Sequence, residues 1–158
     1  MSIKPIVAGN WKMNKTPSNS ILFISNIINI LSDIKSVKVI VSPPFTSLSQ
    51  LVVRSPLYTA AQNCHWEESG AFTGEISIPM LKDCGVEYVI IGHSERRHIF
   101  KESDKWINNK LKAILAGGLK PILCVGETLD QREKGQTDKV LFQQLTNALV
   151  SIEDLDDF

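Results

Sequence analysis

The chain has 158 residues, of which 43% are hydrophobic and 22% charged, and its 17 basic side chains balance its 17 acidic ones. This composition is typical of a soluble globular protein, and the length favours one domain with a substantial core. A net charge of zero argues against nucleic acids and anionic membranes as partners. The longest apolar runs are also far shorter than the roughly 20 residues that a transmembrane helix needs.

The sequence predicts five β-strands, because short runs rich in β-branched residues recur along the chain. These runs lie at residues 5–9, 37–41, 57–62, 87–92 and 120–126. Helical patterns separate them, so strand and helix alternate five times. Strands joined by such helices run parallel, because each crossover returns the chain to the same end of the sheet. Functional side chains are then expected beyond the carboxyl ends of the strands.

Two amphipathic helices and three weaker ones fill the intervals. The first helix is expected to begin at Thr16 and Pro17, an N-cap followed by a first-turn proline. Its predicted apolar stripe consists of Ile21, Ile24, Ile28 and Leu31. The last helix begins near Thr137, and its predicted apolar face consists of Val140, Leu141, Leu145, Ala148 and Leu149. The weaker helices are predicted over residues 47–54, 78–84 and 103–116, the last two ended by glycines.

Polar side chains cluster at the predicted strand ends. Taken singly, each has an ordinary explanation: Asn10 as a turn former, Lys12 as a solvated cation, His93 as a satisfied histidine, and Glu95 with Arg96 as a surface ion pair. Taken together, an imidazole, a cation and an amide at one rim suit an anionic carbonyl substrate. The side chains that the strand ends are predicted to bring together are Asn10, Lys12, Gln62, His93, Glu95 and Glu127.

The sequence has no pattern for a metal or nucleotide site. His93 and His98 are five residues apart, so they cannot share the helix face of a His-Glu-x-x-His zinc motif, and no Gly-x-Gly-x-x-Gly or P-loop follows the first strand. Three cysteines, Cys64, Cys84 and Cys124, form no Cys-x-x-Cys pair, which predicts a reducing compartment, the cytoplasm. Cys124 lies in an apolar run and is expected to be a packed thiol rather than a nucleophile.

Four segments match the motifs of one family, in the same order and at similar spacing. They read Gly-Asn-Trp-Lys-Met-Asn at residues 9–14, Gly-Ala-Phe-Thr-Gly-Glu-Ile-Ser at 70–77, Ile-Gly-His-Ser-Glu-Arg-Arg at 91–97 and Cys-Val-Gly-Glu at 124–127. In these segments the chain resembles the triosephosphate isomerase family. The resemblance implies an α/β fold, the (β/α)8 TIM barrel of about 250 residues. With five predicted β-α units, residues 1–158 are expected to be a single domain, the amino-terminal part of such a barrel, truncated after the fifth unit.

The resemblance also implies a reaction, the interconversion of dihydroxyacetone phosphate and glyceraldehyde 3-phosphate through an enediolate, without metal or organic cofactor. Asn10 and Lys12 would line the triose phosphate, with the Lys12 charge beside the phosphate and the developing oxyanion. His93 would be the electrophile at the start of a short helix, where the N–H groups of Ser94 and Glu95 disfavour a second proton on the ring. The Glu95 carboxylate would pair with Lys12 and orient it.

A partner and a missing group follow from the same resemblance. The loop over residues 65–75 resembles the dimer loop of the family, whose tip near Thr73 enters the neighbouring subunit, so a homodimer is implied; the alternative is an ordinary flexible loop. The general base of the family is a glutamate in a Glu-Pro-x-Trp segment, which this sequence does not contain. The 158-residue chain alone is therefore expected to be nearly inactive and to be a fragment.

Two alternatives to this enzyme hypothesis remain. One is a non-catalytic assembly module, or a truncated product that needs a complementing chain, since five parallel strands would leave two unpaired edges. The other is a different phosphosugar enzyme on an open sheet, with Glu127 as its general base. The acidic residues 153–157 are interpreted as a polar connection into a further strand.

Overall fold

A computed structural model describes residues 4–51 and 57–153 of the chain. It has five strands: β1 (Ile6–Asn10), β2 (Lys38–Ser42), β3 (Leu57–Ala61), β4 (Tyr88–Ile91) and β5 (Lys120–Leu123). All neighbours pair in parallel, and the order across the sheet is the order along the chain, β1-β2-β3-β4-β5. The sheet curls into an open half-barrel, which confirms the predicted truncated TIM-barrel architecture.

Seven helices are present in the described ranges. They are α1 (Pro17–Leu31), α2 (Phe45–Leu48), α3 (Ile78–Asp83), α4 (Ser94–His98), α5 (Asp104–Ala116), α6 (Leu129–Glu133) and α7 (Thr137–Ala148). The Thr16 hydroxyl caps α1 by accepting a hydrogen bond of 3.4 Å from the backbone N–H of Asn19, as the sequence predicts. Gly85 follows α3 with φ +69°, a left-handed conformation that favours glycine and ends the helix.

One predicted helix differs from the structure, and one helix of the structure was not predicted. The helix predicted over residues 47–54 begins earlier and is shorter: it starts at Phe45, directly after the extended Pro44, and ends at Leu48. Residues 52–54 of that prediction lie outside the described residues. The short helix α6 escaped prediction, although its signal was present: Thr128 and Gln131 form a capping box in which each side chain bonds the backbone N–H of the other residue.

The strands pack their two faces against different partners, because alternate side chains point to opposite sides of a sheet. On β2, Ile40 packs with Ala60 and Tyr88 on one face, whereas Val41 packs against Ile24 of α1 on the other. The largest cluster lies between β4, α3 and α5. Its large, fully buried side chains include Leu81, Val89, Ile91, Ile107, Leu111 and Ile114. This cluster holds α5 behind β4 and therefore fixes the end of the strand that leads into residues 92–97.

The apolar stripes predicted for the outer helices are only partly buried. On α1, Ile24 is buried and Ile28 and Leu31 are half-buried, but Ile21 is 44% exposed because the packed face is centred nearer Phe23 and Ile27. On α7, the predicted face was wrong in extent. Only its Ala148 is buried, Leu145 is 40% exposed, and the other three members are half-buried. The helix packs mainly against α5.

Strands β1 and β5 form the two edges of the sheet, and each has one strand neighbour within residues 4–51 and 57–153. Ile6 and Val7 of β1 are 54% and 57% exposed. An edge strand with apolar side chains this exposed can pair with a further strand. The unpaired edges that the five-strand pattern predicts are thus confirmed.

The packing of the largest cluster predicts that truncating a buried leucine destabilises the protein far more than truncating an exposed isoleucine. Leu111→Ala removes a side chain with 0% exposure and leaves a cavity, so the free energy of unfolding is expected to fall by about 3 kcal/mol. The matched control is Ile30→Ala on α1, where the side chain is 72% exposed and the change is expected to stay within about 0.5 kcal/mol. Urea unfolding measures both, and equal losses would contradict this assignment of the core.

Candidate active site

The segment after β1 holds Lys12 in an unusual but well-supported backbone conformation. Lys12 has φ +52°, a region that non-glycine residues occupy rarely. Its backbone N–H donates a 2.9 Å hydrogen bond to Asn10 Oδ1, and its carbonyl oxygen accepts one of 2.9 Å from Gln62 Nε2. The same Gln62 nitrogen also lies 2.9 Å from the carbonyl oxygen of Ser42 at the end of β2. Contacts from the ends of β1, β2 and β3 therefore fix the position of the Lys12 backbone, from which its side chain extends.

Lys12 and Glu95 form an ion pair across the rim. The ammonium Nζ of Lys12 donates a 2.7 Å hydrogen bond to Oε1 of Glu95, although the two residues are 83 positions apart. Both side chains are partly exposed, 51% and 41%. The hydrogen bond from Lys12 lowers the pKa of the Glu95 carboxyl below its ordinary value of 4.5. Glu95 is therefore ionised at neutral pH and is occupied as an acceptor.

His93 is the N-cap of α4, and its ring faces Glu95 as well. The backbone N–H of Glu95 donates to His93 Nδ1 at 3.3 Å, so this ring nitrogen acts as an acceptor in that hydrogen bond. The carboxylate Oε2 of Glu95 is also 3.3 Å from Nδ1 and favours a proton there. Because the Lys12 ammonium donates to the same carboxylate, it weakens the attraction of Glu95 for a proton on His93 Nδ1. The three side chains thus form one electrostatic unit.

Arg97 ties the ends of β4 and β5 together. Its side chain is only 8% exposed and donates to the carbonyl oxygens of Gly92 at 2.8 Å and Cys124 at 3.2 Å, and to Asp104 Oδ1 at 2.6 Å. Gly92 has φ +69°, and a Cβ atom there would lie 2.8 Å from the Cys124 carbonyl oxygen and 2.9 Å from the Arg97 guanidinium. Glycine is therefore required beside His93.

A cavity of about 230 Å³ opens beside His93. One wall is residues 92–94 with Arg97, and the opposite wall is residues 124–127. Glu127 is ionised in this wall: a hydrogen bond from its own backbone N–H, and further ones from Thr137 and Arg132, lower the pKa of its carboxyl.

Burial raises the pKa of the half-buried Cys124 thiol, which fits a packed rather than a nucleophilic cysteine.

The predicted site residues fall into two groups. Asn10, Lys12, His93 and Glu95 are brought together at one rim by the contacts described above. Thr73 lies on a separate, exposed loop. That loop is organised by its own aromatic contacts: the His65 ring centroid is 4.2 Å from that of Trp66 and 4.4 Å from that of Phe72. The His65 N–H also bonds the Ile76 carbonyl oxygen at 2.8 Å, closing the base of the loop.

One ordinary explanation for the polar rim is wrong in detail. Glu95 does not pair with its neighbour Arg96, because Arg96 Nε donates to Glu102 at 2.5 Å instead. Two residues that the sequence analysis did not single out as site residues support the rim. Gln62 had been named only among the strand-end side chains, and it bonds the Lys12 and Ser42 carbonyl oxygens. Arg97 had been named only as the last residue of a motif, and it bonds the Gly92 and Cys124 carbonyl oxygens. The signal for Arg97 was its place one helical turn after His93.

The fold and the rim together define an α/β-barrel protein with a cation, an amide and an imidazole at its strand ends. A profile of the family described as triosephosphate isomerase matches residues 5–157. The triosephosphate isomerase of Caldanaerobacter subterraneus subsp. tengcongensis is 47% identical over 156 residues, which are 97% of this chain and 62% of the relative. That of Aquifex aeolicus is 47% identical over 155 residues, 96% of this chain and 63% of the relative.

A third relative gives the same result. The triosephosphate isomerase of Alkaliphilus metalliredigens is 51% identical over 152 residues, 94% of this chain and 61% of the relative. The chain therefore belongs to the triosephosphate isomerase family. It spans slightly more than three fifths of the length of the relatives it matches, between 61% and 63%.

No helix within residues 4–51 and 57–153 is long and apolar enough to cross a membrane. Over those same ranges, no three side chains of histidine, cysteine, aspartate or glutamate are grouped in a way that would hold a metal ion. All three cysteines lie in the described ranges, and all three are free thiols. The most deeply buried is Cys64, where burial raises the thiol pKa to about 12.

The contact between Lys12 and Glu95 predicts a titration. In Lys12→Met, the pKa of Glu95 is expected to rise toward 4.5, because its hydrogen-bond donor is lost. Since the native pKa is lowered, the stabilisation from this pair is present above 4.5 and is lost as the pH falls through the native pKa. The difference in unfolding free energy between the two proteins should therefore shrink on acidification.

NMR titration of the Glu95 carboxyl carbon measures this shift directly. The matched control is Lys15→Met, which removes an equal charge from the same loop, where the Lys15 ammonium lies over the Phe23 ring at 4.3 Å. The control should leave the Glu95 titration unchanged. A Glu95 pKa that is insensitive to Lys12→Met would contradict the pairing.

Proposed function

We propose that this chain carries the electrophilic half of a triosephosphate isomerase site. The reaction is the interconversion of dihydroxyacetone phosphate and glyceraldehyde 3-phosphate through an enediolate, with no metal or organic cofactor. One observation carries the proposal: a single carboxylate, that of Glu95, lies 2.7 Å from Lys12 Nζ and 3.3 Å from His93 Nδ1. Family membership supports it, since the named relatives are triosephosphate isomerases.

Lys12 supplies a fixed positive charge. Its φ of +52° and the hydrogen bonds at both ends of its peptide unit restrict where the side chain can start, and Glu95 orients its tip. A preorganised ammonium of this kind stabilises the phosphate and the negative charge that develops on an enediolate oxygen. Asn10, whose side chain holds the Lys12 peptide, lies at the same rim and lines the substrate.

His93 acts as a proton donor to the substrate carbonyl. A neutral ring that accepts the Glu95 N–H on Nδ1 presents Nε2–H to the cavity side. Polarising a carbonyl with this N–H lowers the barrier for removal of the neighbouring proton. The role of His93 is therefore electrophilic.

The group that removes the proton is the remaining requirement. Glu127 is a poor candidate, because the hydrogen bonds to its carboxyl lower its pKa and make it a weaker base. The family uses a glutamate in a Glu-Pro-x-Trp segment, and this sequence contains no such segment. We therefore place the general base outside the 158 residues, in the part of the relatives that this chain does not span.

The same proposal includes a homodimer in the cytoplasm. Thr73 is at the tip of an exposed loop that is closed at its base and braced by stacked rings, and Phe72 beside it is 42% exposed. A preordered loop with an apolar tip is suited to insertion into a second subunit, because little conformational entropy is lost on binding. The three free thiols suit a reducing compartment.

The exposed edges favour a second candidate, an assembly module without catalytic activity. Strands β1 and β5 can accept further strands, and Ile6 and Val7 are exposed. Both candidates expect this chain to bind a polypeptide that completes the sheet. Only the isomerase proposal expects turnover to follow from that binding.

The deciding experiment adds the part of the Caldanaerobacter relative that this chain does not span, as a separate polypeptide. Isomerase activity on triose phosphate is expected to arise on mixing. His93→Gln should then lower kcat by about 10²- to 10⁴-fold and Lys12→Met by about 10²- to 10³-fold. The matched control is His98→Gln, an exposed histidine of the same helix that should leave activity unchanged.

Three outcomes separate the candidates. A complex without turnover would favour the assembly module. Full activity of His93→Gln in the complex would refute the role assigned to His93. Robust turnover by the uncomplemented chain would refute the placement of the general base, and the Glu127→Gln variant would then show whether Glu127 takes that part.

The dimer is tested by sedimentation of the chain and of Thr73→Arg. The wild-type chain is expected to sediment as two copies, and the variant as one, because burying a long cation at the inserted tip is costly unless the cation is paired. Thr146→Arg, on the exposed side of α7, is the matched control and should stay dimeric. A wild-type monomer, or a dimer of Thr73→Arg, would contradict the proposed interface.

A further inference from the structure

The wall of the cavity opposite His93 is formed by residues that are not part of a strand. β5 ends at Leu123, and residues 124–127, here called the strand-end segment, continue from it along the cavity. Its first residue is still tied to β4, since the Cys124 N–H donates to the Ile91 carbonyl oxygen at 2.9 Å. Beyond Cys124, no backbone bond to another strand is present in the described ranges. Side chains must therefore hold the segment in place.

Gln144 of α7 supplies this support at Gly126. The Gly126 N–H donates to Gln144 Oε1 at 2.9 Å, and Gln144 Nε2 donates to the Gly126 carbonyl oxygen at 3.0 Å. One side-chain amide thus satisfies both polar groups of one backbone residue. This is the pair of bonds that a neighbouring peptide would make in a sheet. Both distances are those of good hydrogen bonds.

A second contact comes from the same face of α7. Thr137 precedes Gln144 by seven residues, close to two helical turns, so the two side chains lie on one side of the helix. Thr137 Oγ1 donates to Glu127 Oε1 at 3.2 Å. One face of α7 therefore holds two consecutive residues of the strand-end segment.

The helix is itself anchored to the other side of the cavity. Asn147 Nδ2 donates to Asp104 Oδ2 at 2.9 Å, and the other oxygen of Asp104 accepts from Arg97. Arg97 in turn bonds the carbonyl oxygen of Gly92, the residue before His93. Side chains therefore connect α7 to both walls of the cavity, through Gln144 to one and through Asp104 and Arg97 to the other.

We propose that Gln144 is a positioning residue of the candidate site, which holds Gly126 and thereby sets the distance of the strand-end segment from His93. It does not touch the reacting atoms. The proposal deepens the proposed function and rests on it for its catalytic meaning, but the hydrogen bonds that carry it can be measured in this chain alone.

The test uses Gln144→Glu, because a protonated carboxyl has an acceptor and a donor in nearly the geometry of the amide. An ionised carboxylate cannot donate to the Gly126 carbonyl oxygen. At neutral pH the repulsion between this carboxylate and the Gly126 carbonyl oxygen is expected to displace Gly126, so the protection of its amide from hydrogen exchange should fall about tenfold, equivalent to about 1.4 kcal/mol. Below the ordinary carboxyl pKa of about 4.3, the protection factor should return toward the wild-type value.

Two further variants complete the test. Gln143→Glu places the same charge on the exposed neighbouring position of α7 and should leave Gly126 unchanged at every pH. Gln144→Met keeps the length of the side chain without polar atoms, and should lose protection at Gly126 independently of pH. Wild-type protection in Gln144→Glu at neutral pH, or a loss that acid does not reverse, would overturn the proposal, since packing alone has no such pH dependence.

The catalytic consequence is measured in the complemented protein. Gln144→Met is expected to lower kcat about tenfold with little change in KM, because a displaced wall affects alignment more than binding. Unchanged kcat together with lost protection at Gly126 would overturn the positioning role. If the wild-type complex has no activity, the proposed function fails, and the exchange measurements still decide whether Gln144 holds the segment.

Discussion

The candidate site depends on parallel pairing between strands that follow one another along the chain. This pairing brings every carboxyl end to the same rim, so residues far apart in sequence become neighbours. The register aligns Asn10 at the end of β1 with Ser42 at the end of β2, and Ile91 of β4 with Leu123 of β5. Without this alignment, Lys12 and Glu95 would not lie within hydrogen-bond distance, because they are 83 positions apart in the sequence.

Within the rim, one carboxylate organises two functional groups. Glu95 orients the Lys12 ammonium through one oxygen, while its backbone N–H and other oxygen face His93. The contacts are partly exposed, so their contribution to folding is small, as is usual for surface ion pairs. For the proposed reaction their importance lies in geometry, because a cation held in a fixed position stabilises developing charge at no cost of reorganisation.

Support for the site comes from outside the rim. Arg97, buried behind it, joins the carbonyl oxygens of Gly92 and Cys124, and its guanidinium leaves no room for a side chain at Gly92. Gln144 holds the next part of the cavity wall from α7. Such contacts join residues far apart in the sequence: the helical spacing from His93 points to Arg97, but no local pattern points to Gln144.

Local patterns were sufficient for the existence and order of the five strands and for the caps at Thr16 and Gly85, because periodicity and turn chemistry act over a few neighbouring residues. The expectations for Lys12 and His93 came from the clustering at the strand ends and from the family motifs. Local patterns did not predict the burial of side chains that depends on distant partners, as for Ile21 of α1 and Leu145 of α7, which are both exposed. Folding alone decided that Gln62 bonds the Lys12 carbonyl oxygen and that Gln144 bonds Gly126. The reason is physical: a hydrogen bond requires two groups within about 3 Å, and only the packing of strands and helices sets that distance.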